Sequence, residues 1–212
     1  LLEICALSDT LILDEDGVYD PAHFNDRLLL GLKGTMSEAE LHVMRARLRG
    51  GILNKARRGE LRCRLPVGLV YDGARVVLDP DTQVQESVRL LFQTFARIGT
   101  ASATVKYFRQ QGLLFPTRVA AGARKGELSW VPLSVSRAAD ALHNPWYAGA
   151  YVYGRSRWRK QADGHMRHEP LPKAEWHALI KDAHPGYISW EEHERIEQRL
   201  KESAKALGLE RR

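Results

Sequence analysis

Hydrophobic and polar positions change rhythm several times along the chain, and each change marks an element. Leu1–Leu13 is a nearly continuous apolar run that reads as a strand. The turn Asp14-Glu15-Asp16-Gly17 and a short segment Val18-Tyr19-Asp20 follow it. From about Asn25 to Arg58 the spacing is helical. Leu41, Met44, Leu48 and Ile52 recur every three or four residues, beside a second stripe of Leu28, Leu32, Met36, Ala39 and Val43. At 1.5 Å per residue such a helix runs to about 50 Å, more than one small domain buries. Asn25 and Thr35 are both candidate caps, the latter with Glu38 in capping-box spacing. Gly34, Gly50 and Gly51 mark candidate bends or close approaches.

Gly59 ends the helical pattern, and a second domain begins. The runs 65–71 and 76–78 around Asp72-Gly73 predict a hairpin. Val84, Val88, Leu91, Phe92 and Phe95 predict a helix over about 82–97, and Ala103, Val105 and Phe108 a shorter one that ends at Gly112. Two short helices across a Gly-containing joint resemble a helix-turn-helix unit. Residues 115–129 lack periodicity and read as a loop. Trp130–Ser134 leads into a helix over 134–142 that Asn144-Pro145 stops. The run 147–154 alternates as a strand with a basic end (Arg155, Arg157, Arg159, Lys160), residues 164–172 read as a loop, and Ser189 caps a mixed-charge helix reaching about Leu207.

Composition narrows the class. Of 212 residues 44% are hydrophobic and 27% charged, ordinary values that exclude wholesale disorder. No apolar run nears the roughly 18 residues of a membrane span, and the start lacks a secretory pattern. A cytoplasmic, nucleoid-associated protein with no membrane partner is expected. Cys5 and Cys63 are the only cysteines, too few for a disulfide framework or a CxxC metal site.

Charge distribution says more than the net +6. Residues 1–33 carry seven acids against two bases, whereas in residues 45–64 eight bases (Arg45, Arg47, Arg49, Lys55, Arg57, Arg58, Arg62, Arg64) face only Glu60. That density suits a polyphosphate. A solvated helix face would intersperse acids, and here they are missing. Double-stranded DNA is therefore the expected partner. Candidate contacts are Arg49, Lys55, Arg57, Arg58, Arg62 and Arg64 in this stretch, Arg124 and Lys125 in the next basic loop, Ser134, Ser136 and Arg137 on the short helix, and Arg155 and Arg157 beyond it. A helix the size of 134–142 enters a major groove, and Arg and Ser suit base edges. Its Leu133, Val135, Ala138, Ala139 and Leu142 also give it a packing face.

Catalytic and metal chemistry find no support in the residues. The eight histidines are dispersed, with only His165-x-x-His168 close together and no third ligand in motif spacing. Asp14, Glu15 and Asp16 read as a solvated turn, and Ser8 as a strand-end serine without an elbow motif. No cofactor and no metal are expected.

The stretch GLKGTMSEAELHVMRARLRGGILNKARRGEL (31–61) resembles the long helix that closes the catalytic domain of the serine recombinases, the resolvase and invertase group. Gly34, Glu38, Glu40, Arg45, Arg47, Gly51 and Gly59 keep its register. PVGLVYDGARVVLDP (66–80), Ser102–Gly112, WVPLSVSRAADALHNPWYAGAYVYGR (130–155) and WHALIKDAHPGYISWEEHERIEQRL (176–200) are similar, in order, to the recombinase domain of the large members. The resemblance implies DNA strand exchange: a serine attacks a phosphodiester, holds the DNA end covalently, and subunits rotate in a tetramer before rejoining. It places that serine and its arginines upstream of this chain, which reads as a fragment without catalytic residues, and large members often carry a Cys-rich zinc ribbon downstream. Leu41 stands where the family has an Arg. The resemblance also implies dimeric or tetrameric association of the parent through Leu41, Met44, Leu48 and Ile52.

The expected fold class is α+β, mainly α: a long connecting helix, then a helix-turn-helix-like domain with short β-hairpins. Residues 1–33 would be the end of a catalytic domain, 34–60 the association and linker helix, and 61–212 the DNA-binding domain. Two alternatives stay open. One is a stand-alone helix-turn-helix regulator without catalysis; the other is an interaction protein that uses the mixed-charge tail helix.

Overall fold

The computed structural model describes residues 2–206. It divides into two compact units, Leu1–Asn54 and Lys55–Arg212. The fold class is the expected one, helices with, among the described residues, five separate two-stranded antiparallel sheets.

In the first unit, α1 (Leu2–Leu7) stands where the sequence predicts a strand; Leu1 lies outside the described residues. Leu and Ala favour helix, Glu3 sits favourably in the first turn, and six residues need no sheet partner. Ser8 is accordingly a helix-end serine, its hydroxyl donating to the Ile4 carbonyl at 2.8 Å, and not a strand-end one. Strand β1 (Ile12–Asp14) pairs with β2 (Gly17–Tyr19) across the expected turn, where the Asp14 carboxylate accepts from the Asp16 and Gly17 amides. Helix α2 (Phe24–Arg57) runs unbroken through Thr35, whose hydroxyl donates to the Leu32 carbonyl at 2.9 Å; Thr35 is therefore no cap. A Cβ added at Gly34, Gly50 or Gly51 would meet nothing within 4 Å, so no described neighbour makes a close approach there. Lys33 joins α2 to the hairpin through Asp14, Asp16 and the Tyr19 hydroxyl, all at 2.7–2.8 Å.

The last turn of α2 belongs to the second unit. Gly59 lies at φ +73°, its amide donating to the Ala56 carbonyl and that of Glu60 to Lys55. This pair of bonds is the Schellman stop that only a left-handed residue permits without strain. Strands β3 (Leu69–Asp72) and β4 (Arg75–Leu78) form the expected hairpin. Helix α3 (Thr82–Ile98) begins at the Asp81 cap and α4 (Ala101–Gln110) at the Thr100 cap.

Three expectations fail downstream. Residues 115–129 are not a loop throughout: β5 (Leu114–Arg118) pairs with β6 (Leu128–Pro132), leaving 119–127 between them. The run 147–154 is a strand only at β7 (Tyr151–Tyr153), because the Asn144 side chain caps a 3-10 turn over Pro145–Ala148 before it. Residues 164–172 contain β9 (Met166–Pro170), paired with β8 (Ser156–Lys160). Helix α5 (Val135–Leu142) lies where predicted, capped by Ser134. Strand β10 (Ala178–Ile180) pairs back onto β7. Helix α6 (Trp190–Ala206) closes the unit with a reciprocal Ser189/Glu192 capping box; Leu207 lies outside the described residues.

The main core joins α3, α4, α5 and α6 through Leu91, Phe92, Phe95, Phe108, Leu142, Tyr147 and Ile196. A second cluster, Leu69, Trp146, Tyr151, Val152 and Ala178, lies under the β3–β4 and β7–β10 pairs. Two tyrosine hydroxyls tie the segment before β3 to this body: Tyr147 donates to Val67 at 2.8 Å and Tyr187 to Gly68 at 2.6 Å. Burial pushes the Tyr187 hydroxyl up to about 12, so it remains a donor.

His193 on α6 is fully buried, with neither ring nitrogen hydrogen-bonded and Glu197 at 3.7 Å. Burial disfavours the imidazolium and pushes it down from 6.5 to about 4. Below pH 6.5 an unfolded His193 takes up a proton that the folded one refuses, so stability falls as pH drops from about 6.5 towards 4. A His193→Leu variant should lose up to about 1.4 kcal/mol per pH unit of that slope, measured by urea unfolding across the window.

Candidate nucleic-acid interface

Helix α5, the β5–β6 hairpin and the segment running into β3 enclose an open groove of about 800 Å³ within the second unit. Each wall follows from local sequence. The Ser134 hydroxyl accepts from the Arg137 amide and starts α5, so Arg137, Asp140, Ala141 and Asn144 fall on one helical face towards the groove. Pro66 and Val67 line the opposite side, held by the Tyr147 hydroxyl. The third wall is Phe115–Ala120 with Lys125 and Gly126 of the 119–127 loop.

Four cations line this groove, Arg64, Arg118, Lys125 and Arg137, against the single acid Asp140. Arg64, Lys125 and Arg137, drawn from three separate basic stretches, are brought together. Arg118 is the residue that sequence reasoning missed. Its guanidinium meets the Asp79 carboxylate at 2.9 Å and the Gly126 carbonyl at 3.2 Å. Asp79 is 6% exposed, so Arg118 both neutralises a buried carboxylate and holds the base of the loop. The available signal was the apolar run Leu113–Phe115 mirrored by Trp130–Val131 across a Gly-containing spacer, masked by Pro116.

The other predicted contacts are placed differently. Lys55 and Arg57 are exposed at the end of α2, and Arg58 beside them is clamped by both oxygens of Glu60 at 2.8 and 3.0 Å. Arg62 donates to the Gly73 carbonyl and lies over the Tyr71 ring. Arg124 is ion-paired with Glu127 at 2.6 Å. Ser134 and Ser136 sit at the start of α5, the former occupied with capping. Arg155 precedes β8, and Arg157 within it pairs with Glu169 at 3.2 Å. Arg49 is exposed on the part of α2 that belongs to the first unit, as are Leu41, Met44, Leu48 and Ile52, each 44–63% exposed. Among the described residues no helix is long and apolar enough to cross a membrane, and no group of three or more His, Cys, Asp and Glu is placed to hold a metal ion.

The groove thus gathers Arg64, Arg118, Lys125 and Arg137 beside a short, capped helix. Residues 82–203 match the family model described as Recombinase, more than half of the chain. The chain belongs to that family, the large serine recombinases its sequence resembles. It is 57% identical over 205 residues to "Uncharacterized protein y4bA/y4pH" of Sinorhizobium fredii, covering 96% of this chain and 30% of that relative. The chain thus spans about a third of the length of the curated relative it matches. Two solved structures are similar at 14% identity. One is described as "Crystal Structure of a LSR-DNA Complex" (TM-score 0.46, 75% of this chain and 39% of that one). The other is described as "Sequence Requirements of the Listeria innocua prophage attP site" (TM-score 0.44, 72% and 49%).

Removing Arg118 strands Asp79 and releases the loop. Arg118→Ala should cost about 1–2 kcal/mol in denaturant unfolding, discounted because the guanidinium is one-third exposed. Asp79→Asn in the same chain should restore part of the loss, since the unpaired charge is then gone.

Proposed function

We propose that this chain is the DNA-binding and assembly portion of a site-specific serine recombinase. The observation that carries the reading is the convergence of Arg64, Lys125 and Arg137 on one groove beside α5, with no carboxylate within ion-pair distance of any of the three among the described residues. In this reading Arg64 and Lys125 neutralise phosphates, while Ser136 and Arg137 on α5 face base edges in a major groove. Lys55, Arg57, Arg58 and Arg62 extend the phosphate contacts from the end of α2, with Arg58 exchanging Glu60 for a phosphate. Arg49, Arg124, Ser134, Arg155 and Arg157 border the same partner. A serine of the whole protein, outside these residues, would cut and hold the DNA, and the work would be done in the cytoplasm on the nucleoid.

Labour would divide among three stretches of the chain. Residues 1–33 would complete a catalytic domain, 34–60 would associate protomers, and 61–212 would hold DNA. Exposed Leu41, Met44, Leu48 and Ile52 at three- and four-residue spacing support the second assignment, since an apolar stripe of that length on one helix is a contact surface.

Two measurements test these roles. The salt dependence of duplex binding should be linear in log–log form, and Arg64→Ala with Lys125→Ala should flatten its slope by about 2, roughly one unit per phosphate lost. Arg137→Ala should instead change preference among sequences by about 1–3 kcal/mol at one base pair while leaving the slope nearly intact. An unchanged slope in the Arg64/Lys125 variant, or an equal loss on every sequence in the Arg137 variant, would refute the groove assignment. Separately, Leu41→Glu with Leu48→Glu should weaken self-association in sedimentation at least about tenfold, roughly 1.4 kcal/mol, without loss of the second unit's helix signal.

A further inference from the structure

The hairpin β8–β9 is built unlike every other strand pair in the second unit. It is the pair that contributes no buried residue: both strands are exposed along most of their length, whereas β3–β4, β5–β6 and β7–β10 each place at least one side chain in a core. An isolated two-stranded ribbon is marginal in water and does not persist for its own packing. Its register sorts the side chains by face. Trp158 opposes His168 and Lys160 opposes Met166 on one face, whereas Arg157 opposes Glu169 and Arg159 opposes Arg167 on the other.

Both faces carry an unmet demand. Trp158 is 65% exposed, forgoing the burial that a ring of its size ordinarily gains. The ring is nevertheless held: the Ser156 hydroxyl lies 2.7 Å from His168 Nε2, and the imidazole packs against the indole at 5.0 Å between centroids. The indole is therefore held by a tilted contact with the imidazole while most of the ring is presented to solvent. On the reverse face two arginines stand directly across from each other, a like-charge pair that destabilises the ribbon unless an anion lies between them. Residues 155–170 hold five Arg and Lys against Asp163 and Glu169.

We propose that β8–β9 is a base-stacking finger for DNA that carries unpaired bases. The inference rests on the reading of the second unit as DNA-binding and adds to it a separate contact with a different specificity. The faces of paired bases are covered by their neighbours and a groove displays only edges, so a presented indole gains a stacking partner only where a base is out of the stack. A ribbon is about 5 Å across, which leaves the phosphates of a strand stacked on one face within reach of arginines emerging from the other.

The test uses the 212-residue chain and three labelled probes of one sequence: a perfect duplex, the duplex with a central unpaired bubble, and the bubble with abasic sites in place of its bases. The native protein should bind the bubble about tenfold more tightly than the perfect duplex and lose that preference on the abasic probe. Trp158→Ala should abolish the preference without changing affinity for the perfect duplex, Trp158→Phe should keep most of it, and His168→Ala should reduce it by releasing the indole. Arg159→Ala with Arg167→Ala should weaken the bubble complex and flatten its salt slope. Equal binding of all three probes, or a preference that survives Trp158→Ala, overturns the finger; the groove reading then still stands if Arg64→Ala with Lys125→Ala weakens the perfect duplex. Absence of binding to any probe at low salt overturns both.

Discussion

Two tyrosine hydroxyl groups, one buried and one half-buried, set the geometry on which the candidate site depends. The chain leaving α2 must pass over the core before it can form β3, and there its carbonyls lose water. Tyr147 and Tyr187 supply the donors, at Val67 and Gly68. Tyr147 is itself wedged edge-on against Phe92 at 5.3 Å. The position of one groove wall is thus fixed by the same aromatic packing that seats α5, the other wall. Gly68 shows how tight the fit is: a Cβ there would stand 2.9 Å from the Tyr187 hydroxyl and 3.0 Å from Val88. Its φ of +91° asks for glycine as well.

The cations fall into two populations once the structure is known, and composition could not separate them. Arg58, Arg118, Arg124 and Arg157 each have a carboxylate partner within 3.2 Å. These pairs are mostly at the surface, where they are worth little to stability and exchange readily for another anion. Arg118 differs because its partner is buried; its charge is spent on architecture. Arg64, Lys125 and Arg137 are left to give the groove its sign. A basic stretch in a sequence is therefore an upper bound on the positive surface, and the sequence distances between its members say nothing about which of them meet.

Periodicity was legible wherever one face of an element is buried and the other is not. Val84, Val88, Leu91, Phe92 and Phe95 were all placed in the core from spacing alone, and each is less than 5% exposed. The Ser189 cap was equally readable, because a side-chain oxygen before a helical run has one common use, whereas Asn25 and Thr35, read as candidate caps, both lie inside α2. Short strands escaped for a physical reason. Those of β5, β6, β8 and β9 are stabilised by pairing across 9- and 5-residue spacers, not by alternation on a core, and Pro116 and Pro132 disguise the first pair. The helix over Leu2–Leu7 was lost because an apolar run shorter than two turns has no period to measure. Of the candidate site, the residue types were visible and their convergence was not.

The loop 119–127 shows what such an arrangement permits. Its ends are closed by the β5–β6 ladder and by Val119–Glu127 and Gly126–Val119 backbone bonds, with Arg118 bracing Gly126. Every residue between 121 and 127 is exposed and none belongs to a core cluster. No side chain at this tip fills a core, so the residues there can be exchanged without opening a cavity in the scaffold beneath. One short, exposed segment thereby sets the chemistry of a groove wall without carrying any of the packing that holds the wall in place.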